Sequence, residues 1–320
     1  MEINLTKEQT NFIRVIAILL IINSHIDSLI PIPFISTGGS LGNALFFVLS
    51  GYGLMLSQDE NKLNFSKWIV KRLGKIYATI FIFNFILFIP LSIYFKTINH
   101  WDLKTILDIF LFPSAFVFIQ VLIIFYIIGH PIISYFSQRA IKFTLFLSLI
   151  SHLLIYIFTT EKSSFNIFSY NNIPLLILGW LSLFVFGIYL GKSKIFSRVN
   201  YHKKYVGTLL VVLILIFGQK FLIYKNILVS TQIIQYYLLF AFCYLLMLCS
   251  KSIKFKNNKI NNIIKFISSI TLELYLVHVT LLASFRFETL KFPLGILALI
   301  SITLLIASII SRLKKFILKT

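Results

Sequence analysis

A cation and an imidazole stand in the first apolar stretch, residues 12–27: Arg14 and His25. An isolated charge at the bilayer centre costs roughly 2.5–3.5 kcal/mol on insertion scales, so ionisable groups in such a stretch read as functional. The two are eleven residues apart. On a continuous helix that is three turns plus roughly 20° and roughly 16 Å of rise, so the spacing predicts one shared helix face. Asn23, Ser24 and Asp27 add a polar stripe beside the histidine. Neutral imidazole is the side chain best suited to take a proton from a hydroxyl near neutral pH. Apolar surroundings would exclude the water that hydrolyses an activated acyl donor. The guanidinium keeps its charge and can grip an anionic donor or pair with a carboxylate.

Three further constellations could share in chemistry. Residues 42–53 carry Ser50, Gly51 and Gly53, small enough for a neighbouring helix or a ligand to approach the backbone. Residues 68–77 hold Lys71, Arg72 and Lys75 at i, i+1 and i+4, so the two lysines share a helical face with the arginine beside them. Such a cluster can hold phosphates, and the cytoplasmic bias of basic residues explains it equally well. Residues 271–278 place Tyr275 and His278 one turn apart, with Glu273 nearby on a different face. A buried Glu273 is expected to be partly neutralised, or to find Arg14, His25 or His278 as a partner. His130 and His152 read as hydrogen-bonded packing residues. The sequence has no Gly-rich phosphate loop, no His-Glu-x-x-His metal site and no Gly-x-Ser-x-Gly elbow. A metal-free transfer through a histidine base is what remains.

The elements that must position these groups are transmembrane. Of the 320 residues 58% are hydrophobic and only 12% charged, with mean hydropathy +0.91, more apolar surface than a soluble core can hide. Apolar windows of about 20 residues fall near 12–30, 41–57, 76–95, 114–136, 143–159, 173–191, 205–224, 231–249, 266–285 and 294–311. The expectation is an all-α polytopic bundle of about ten spans, one domain over 1–320, with a short interfacial helix before Pro113. A net charge of +20 would suggest nucleic acid in a soluble protein. Here the charge must be read by position: 22 of the 30 Lys and Arg fall in alternate segments on the side of the N-terminus, with Lys62, Lys67, Lys71, Arg72 and Lys75 as their first cluster. Both termini are therefore expected in the cytoplasm. No small-residue cleavage site follows the first apolar run, so that helix is expected to stay in the mature protein. Cys243 and Cys249 lie in an apolar stretch and read as small hydrophobes rather than a disulfide. The loop at 160–172 mixes aromatics with amides and hydroxyls, which suits an interfacial aromatic belt as well as sugar stacking.

Taken in order, these motifs resemble the acyltransferase-3 family of integral-membrane acyltransferases, which includes bacterial enzymes that O-acetylate cell-surface polysaccharides. The resemblance rests on Arg14 and His25, on Phe46, Phe47, Ser50 and Gly51 as Phe-Phe-x-x-Ser-Gly, on the basic pair before the third span, and on Tyr275 with His278 as Tyr-Leu-x-His. It implies a ten-span bundle in the bacterial cytoplasmic membrane. It also implies an acyl-CoA donor, with acetyl-CoA foremost, as substrate rather than bound cofactor. The first-span histidine would be central to transfer, and the acceptor would be a cell-surface glycan or its lipid-linked precursor at the outer face. The basic cluster would hold the coenzyme A phosphates, and Ser50 with Gly51 would line the acyl path. Glu273, Tyr275, His278, Asp27 and Gln120 would support His25 or the acceptor.

Two departures stand out. The family commonly has Arg-x-x-Arg where this chain has Arg72-x-x-Lys75, which keeps the charge and loses one bidentate fork. In the fourth span, residues 115–126 lack the Trp and acidic residues of many members, leaving Gln120 as the one strongly polar group in that stretch. Two other classes of function compete with transfer: an exporter of a glycan or small organic acid, and a scaffold. A scaffold gives no reason for Arg14 and His25 to lie within the bilayer.

Overall fold

The computed structural model describes residues 4–32, 35, 36, 38–61, 64–98, 100–113, 115–158, 173–199, 202–225, 227, 231–253 and 258–318. Lys62 and the loop at 160–172 lie outside them. The described residues are helical throughout, with no strand among them. In chain order the helices are α1 (Lys7–Asn23), α2 (Gly39–Asn61), α3 (Phe65–Phe83), α4 (Ile89–Tyr94), α5 (Leu103–Phe110), α6 (Val117–Tyr135), α7 (Gln138–Phe158), α8 (Ile173–Ser193), α9 (Ile195–Arg198), α10 (Lys204–Tyr224), α11 (Gln232–Ser250), α12 (Asn258–Ser269), α13 (Thr271–Ser284) and α14 (Leu294–Leu318). Among the described residues eight helices are long and apolar enough to cross a membrane, and nine if the bent pair α12–α13 counts as one. The expected polytopic all-α bundle is what folds, and α1, at 17 residues, accounts for the remaining apolar segment.

The differences from expectation lie at the helix ends. The first span does not run to residue 30: α1 stops at Asn23, and His25 follows it in a turn. The tightening is local. Ser24 N donates to the carbonyls of both Leu20 and Ile21, His25 N to that of Ile22, and the Ser24 hydroxyl takes up the Ile21 carbonyl at 2.7 Å. The chain then folds back on the helix end. A Cβ on Gly38 would collide with the Leu20 backbone, one on Gly39 would lie 2.7 Å from Ser24 Oγ, and Ser36 Oγ donates to the Asn23 carbonyl. The helical extrapolation from Arg14 to His25 therefore ends before the histidine.

The third span starts eleven residues earlier than its hydropathy suggests, at Phe65, where Asn64 Oδ1 accepts from Lys67 N at 3.2 Å. It continues as one apolar rod to Tyr94 through a π-helical turn at Asn84–Phe88. In that turn the Asn84 amide donates to the Ile109 carbonyl at 2.8 Å. The short helix expected before Pro113 is α5, capped by Asp102 Oδ1 accepting from Thr105 N at 2.8 Å. The ninth span is broken by a 65° bend at Ile270, between an amphipathic α12 and a buried α13.

The contacts divide the chain into two units interleaved along the sequence: Met1–Ala17, Ser40–Lys62 and Ile128–Ile264 form the first, and Ile18–Gly39, Leu63–Ile127 and Lys265–Thr320 the second. In the first, α7 packs on α8 and α10 on α11. Helices α2 and α8 cross through glycines: a Cβ on Gly51 would run into the Phe184 carbonyl, and one on Gly187 into that of Val48. In the second, α13, α14 and α3 pack on one another, and the turn at Asp27–Leu29 rests on the turn at Phe287–Thr289.

Candidate active site

Most of the residues with chemical promise gather in the second unit. His25, exposed in the turn after α1, sets its ring edge-on to that of His278, 82° between planes and 5.2 Å between centroids. His278 is fully buried on α13, whose Leu274, Tyr275, Leu276 and Val277 are buried with it. Its Nδ1 lies 2.8 Å from the Leu274 carbonyl, one turn back. A carbonyl can only accept, so Nδ1 carries the proton and Nε2 of the neutral ring carries the lone pair. That Nε2 is buried with no hydrogen-bond partner. Tyr275 flanks His278 at 5.9 Å between rings and is held in turn by Phe118 at 5.2 Å. Asp27, two residues beyond His25, is exposed at the start of its own short turn.

The basic cluster belongs to the same unit. Lys71 and Lys75 are exposed on α3, and the Arg72 guanidinium lies over the Trp68 ring at 5.3 Å. Trp68 is buried, its indole N–H donating to the Tyr126 carbonyl at 3.1 Å, so the platform beneath Arg72 is fixed. Stacking of this kind orients a guanidinium while leaving its charge available. Gln120 has its amide committed to the Phe112 carbonyl at 3.1 Å, which ties down the entry to α6.

Glu273 corrects the expectation about its partner. It is buried at the start of α13, and its Oε1 pairs with Lys314 Nζ rather than with Arg14, His25 or His278. Thr79 Oγ1 lies 3.4 Å from the same carboxylate oxygen and 3.2 Å from Lys314 Nζ, so α3, α13 and α14 meet at one polar knot. Glu273 thus ties the start of α13 to α14. The sequence reading passed over Lys314 and Thr79. The buried positions of α14, Leu299, Thr303, Ala307 and Ile310 with Ser311, recur every three or four residues and point on to Lys314. That spacing was the available signal.

In the first unit, Arg14 Nη2 lies 4.0 Å from where a side chain at Gly53 would begin. Gly53 thus leaves room for the guanidinium beside α2. Gly51 has no such room: the approach it permits is made by the α8 backbone, so this glycine packs a helix crossing. Ser50 is half-buried beside it. Among the described residues no group of three His, Cys, Asp or Glu side chains is placed to hold a metal ion.

The Acyl_transf_3 family model, described as an acyltransferase domain, matches residues 8–312, nearly the whole chain and both units. The protein therefore belongs to the acyltransferase-3 family and is a multi-pass membrane acyltransferase. No curated protein and no solved structure matches it in the same comparisons.

Proposed function

We propose that this acyltransferase moves an acetyl group from cytoplasmic acetyl-CoA to a hydroxyl of a cell-surface glycan or its lipid-linked precursor, in the bacterial cytoplasmic membrane with both termini inside. The observation that carries the reading is the exposed His25 ring set edge-on against buried His278. With Nδ1–H of His278 given to Leu274, its Nε2 can only accept. It can therefore take an N–H from His25 and leave the other His25 nitrogen as the base. His25 removes the proton of the acceptor hydroxyl as its oxygen attacks the thioester carbonyl. The C–S bond breaks, and the imidazolium returns the proton to the departing thiolate, giving the ester and free coenzyme A. Arg72, with Lys71 and Lys75 beside it, holds the donor phosphates. Tyr275 holds His278 in place, and exposed Asp27, two residues from His25, contacts the acceptor.

The test is His25→Ala in cells whose surface glycans are weighed by mass spectrometry, with membrane insertion checked by immunoblot. A general base contributes roughly 10²–10⁴-fold, so the acyl increment should vanish from the glycan while the inserted protein remains. An undiminished increment refutes the mechanism.

A further inference from the structure

Helix α12 has three sides. At about 100° per residue, Asn261, Ile264 and Ser268 share one narrow arc and are buried against the protein, with Asn261 Nδ2 donating to Glu8 Oε1 at 2.7 Å. Asn258, Asn262, Lys265 and Ser269 share a second arc, all exposed and all polar. Ile260, Ile263 and Phe266 fill the third, each about half exposed. The depth of this helix is fixed at its far end. Ile270 alone separates α12 from α13, and Glu273, one turn into α13, pairs with Lys314 beside exposed Lys315 on α14. Thr79, in the same knot, donates to the carbonyl of Lys75, exposed on α3. Basic residues at the ends of two spans mark headgroup depth, so Ile270 lies there too. With α13 along the bilayer normal, the 65° bend leaves α12 about 25° from the membrane plane.

We infer that α12 is an in-plane helix seated in the cytoplasmic leaflet, with the lipid itself as its partner: Ile260, Ile263 and Phe266 enter the acyl chains, and the Asn262 side faces water. It is not the first half of a membrane span. A path through the bilayer core would carry Lys265 and two asparagine amides into hydrocarbon, which is costly. A path clear of the bilayer would leave three large apolar side chains bare on one side. Apolar on one side and polar opposite is the pattern of helices that lie in the interface. Lys259, the one charge within the apolar arc, stands in the first turn, where its stem can run along the helix and bring the ammonium up to the phosphates. The seat reaches the transfer site through α13. His278 is eight residues past Ile270, about 12 Å along the axis, so the hold of the lipid on α12 sets how deep the histidine pair lies, whatever acyl group or acceptor it serves.

The full-length protein with Cys243→Ala and Cys249→Ala, in nanodiscs of phosphatidylethanolamine and phosphatidylglycerol, should carry a nitroxide at one α12 position at a time, through Ile263→Cys, Phe266→Cys or Asn262→Cys. All three positions are exposed, so the label leaves the packing intact. Power saturation then compares collisions with oxygen, which concentrates among acyl chains, and with a nickel chelate, which stays in water. Labels at positions 263 and 266 should favour oxygen, at about 5–10 Å below the headgroups, and the label at 262 should favour nickel. Adding Ile260→Asn and Phe266→Asn should shift the label at 263 towards nickel. Nickel access at 263 and 266 equal to that at 262 would put α12 in water, and oxygen preference at all three would make it half of a span. Shielding of 263 and 266 from both reagents would mean that another protein surface covers that side. Each of these results overturns the proposal, as does a label at 263 that ignores the paired substitution. Because the readout is depth without turnover, its failure is separable from a failure of the His25 chemistry.

Discussion

The two units hold their helices together by opposite means. In the first, α2 and α8 come within backbone contact because Gly51 and Gly187 have no side chains, and the stabilisation is close dispersion contact over the crossing. In the second, α3, α13 and α14 meet over Thr79, Glu273 and Lys314, a buried polar knot. Lipid tails are as apolar as leucine, so neither pair of surfaces is pressed together by the hydrophobic effect, and each needs its own device. Both units leave buried polar atoms without a hydrogen-bond partner, Asn43 Oδ1 and His152 Nδ1 in the first among them. Glu273 Oε2 and His278 Nε2 are both buried without a partner, on the same helix. What sets the second apart is that one of these atoms, His278 Nε2, belongs to a ring in contact with the exposed His25 ring.

Breaking the knot should show the largest effect. Glu273→Ala leaves the Lys314 ammonium mostly buried and alone, and loss of one partner of such a pair costs about 3–5 kcal/mol. Thermal unfolding in detergent should register that loss, and adding Lys314→Met should recover most of it. If the single variant unfolds like the parent, the knot is not what holds α13. Next comes the crossing. Gly51→Ala puts a methyl into the Phe184 carbonyl and forces α2 from α8, an overpacking cost of about 1–3 kcal/mol in the same assay. A neutral result would mean the helices slide past each other freely. The smallest change is Thr79→Val, which removes one hydroxyl from the knot and keeps its shape. Interhelical hydrogen bonds in membranes average about 0.6 kcal/mol, so a loss as large as that of Gly51→Ala would make Thr79 a principal support instead of a minor one.

The sequence told more about the rods than about their ends. Hydropathy alone located every apolar segment that became a helix, because a run of about 20 apolar residues has few other ways to satisfy its backbone in lipid. The end of α1 was not legible. It depends on Gly38 and Gly39 folding back onto Leu20 and Ser24, a tertiary contact with no local signature in the apolar run. For the same reason the shared face of Arg14 and His25, drawn on an unbroken helix, stops short of the histidine. The nearness of His25 and His278 was suggested only by two polar residues on separate apolar segments, and the ring geometry came from the fold. Gly51 could have faced a helix or a ligand, and only coordinates could choose the helix.

The π-turn at Asn84–Phe88 inserts one extra residue into a rod that is otherwise α-helical. One residue is about 100° of rotation, so everything after it is swung round by that amount relative to an uninterrupted continuation. Leu91, past the turn, comes to line an apolar cleft with Leu281 and Ile302. Deleting Phe85 alone would straighten the ladder, turn Leu91 away and open that cleft on one side.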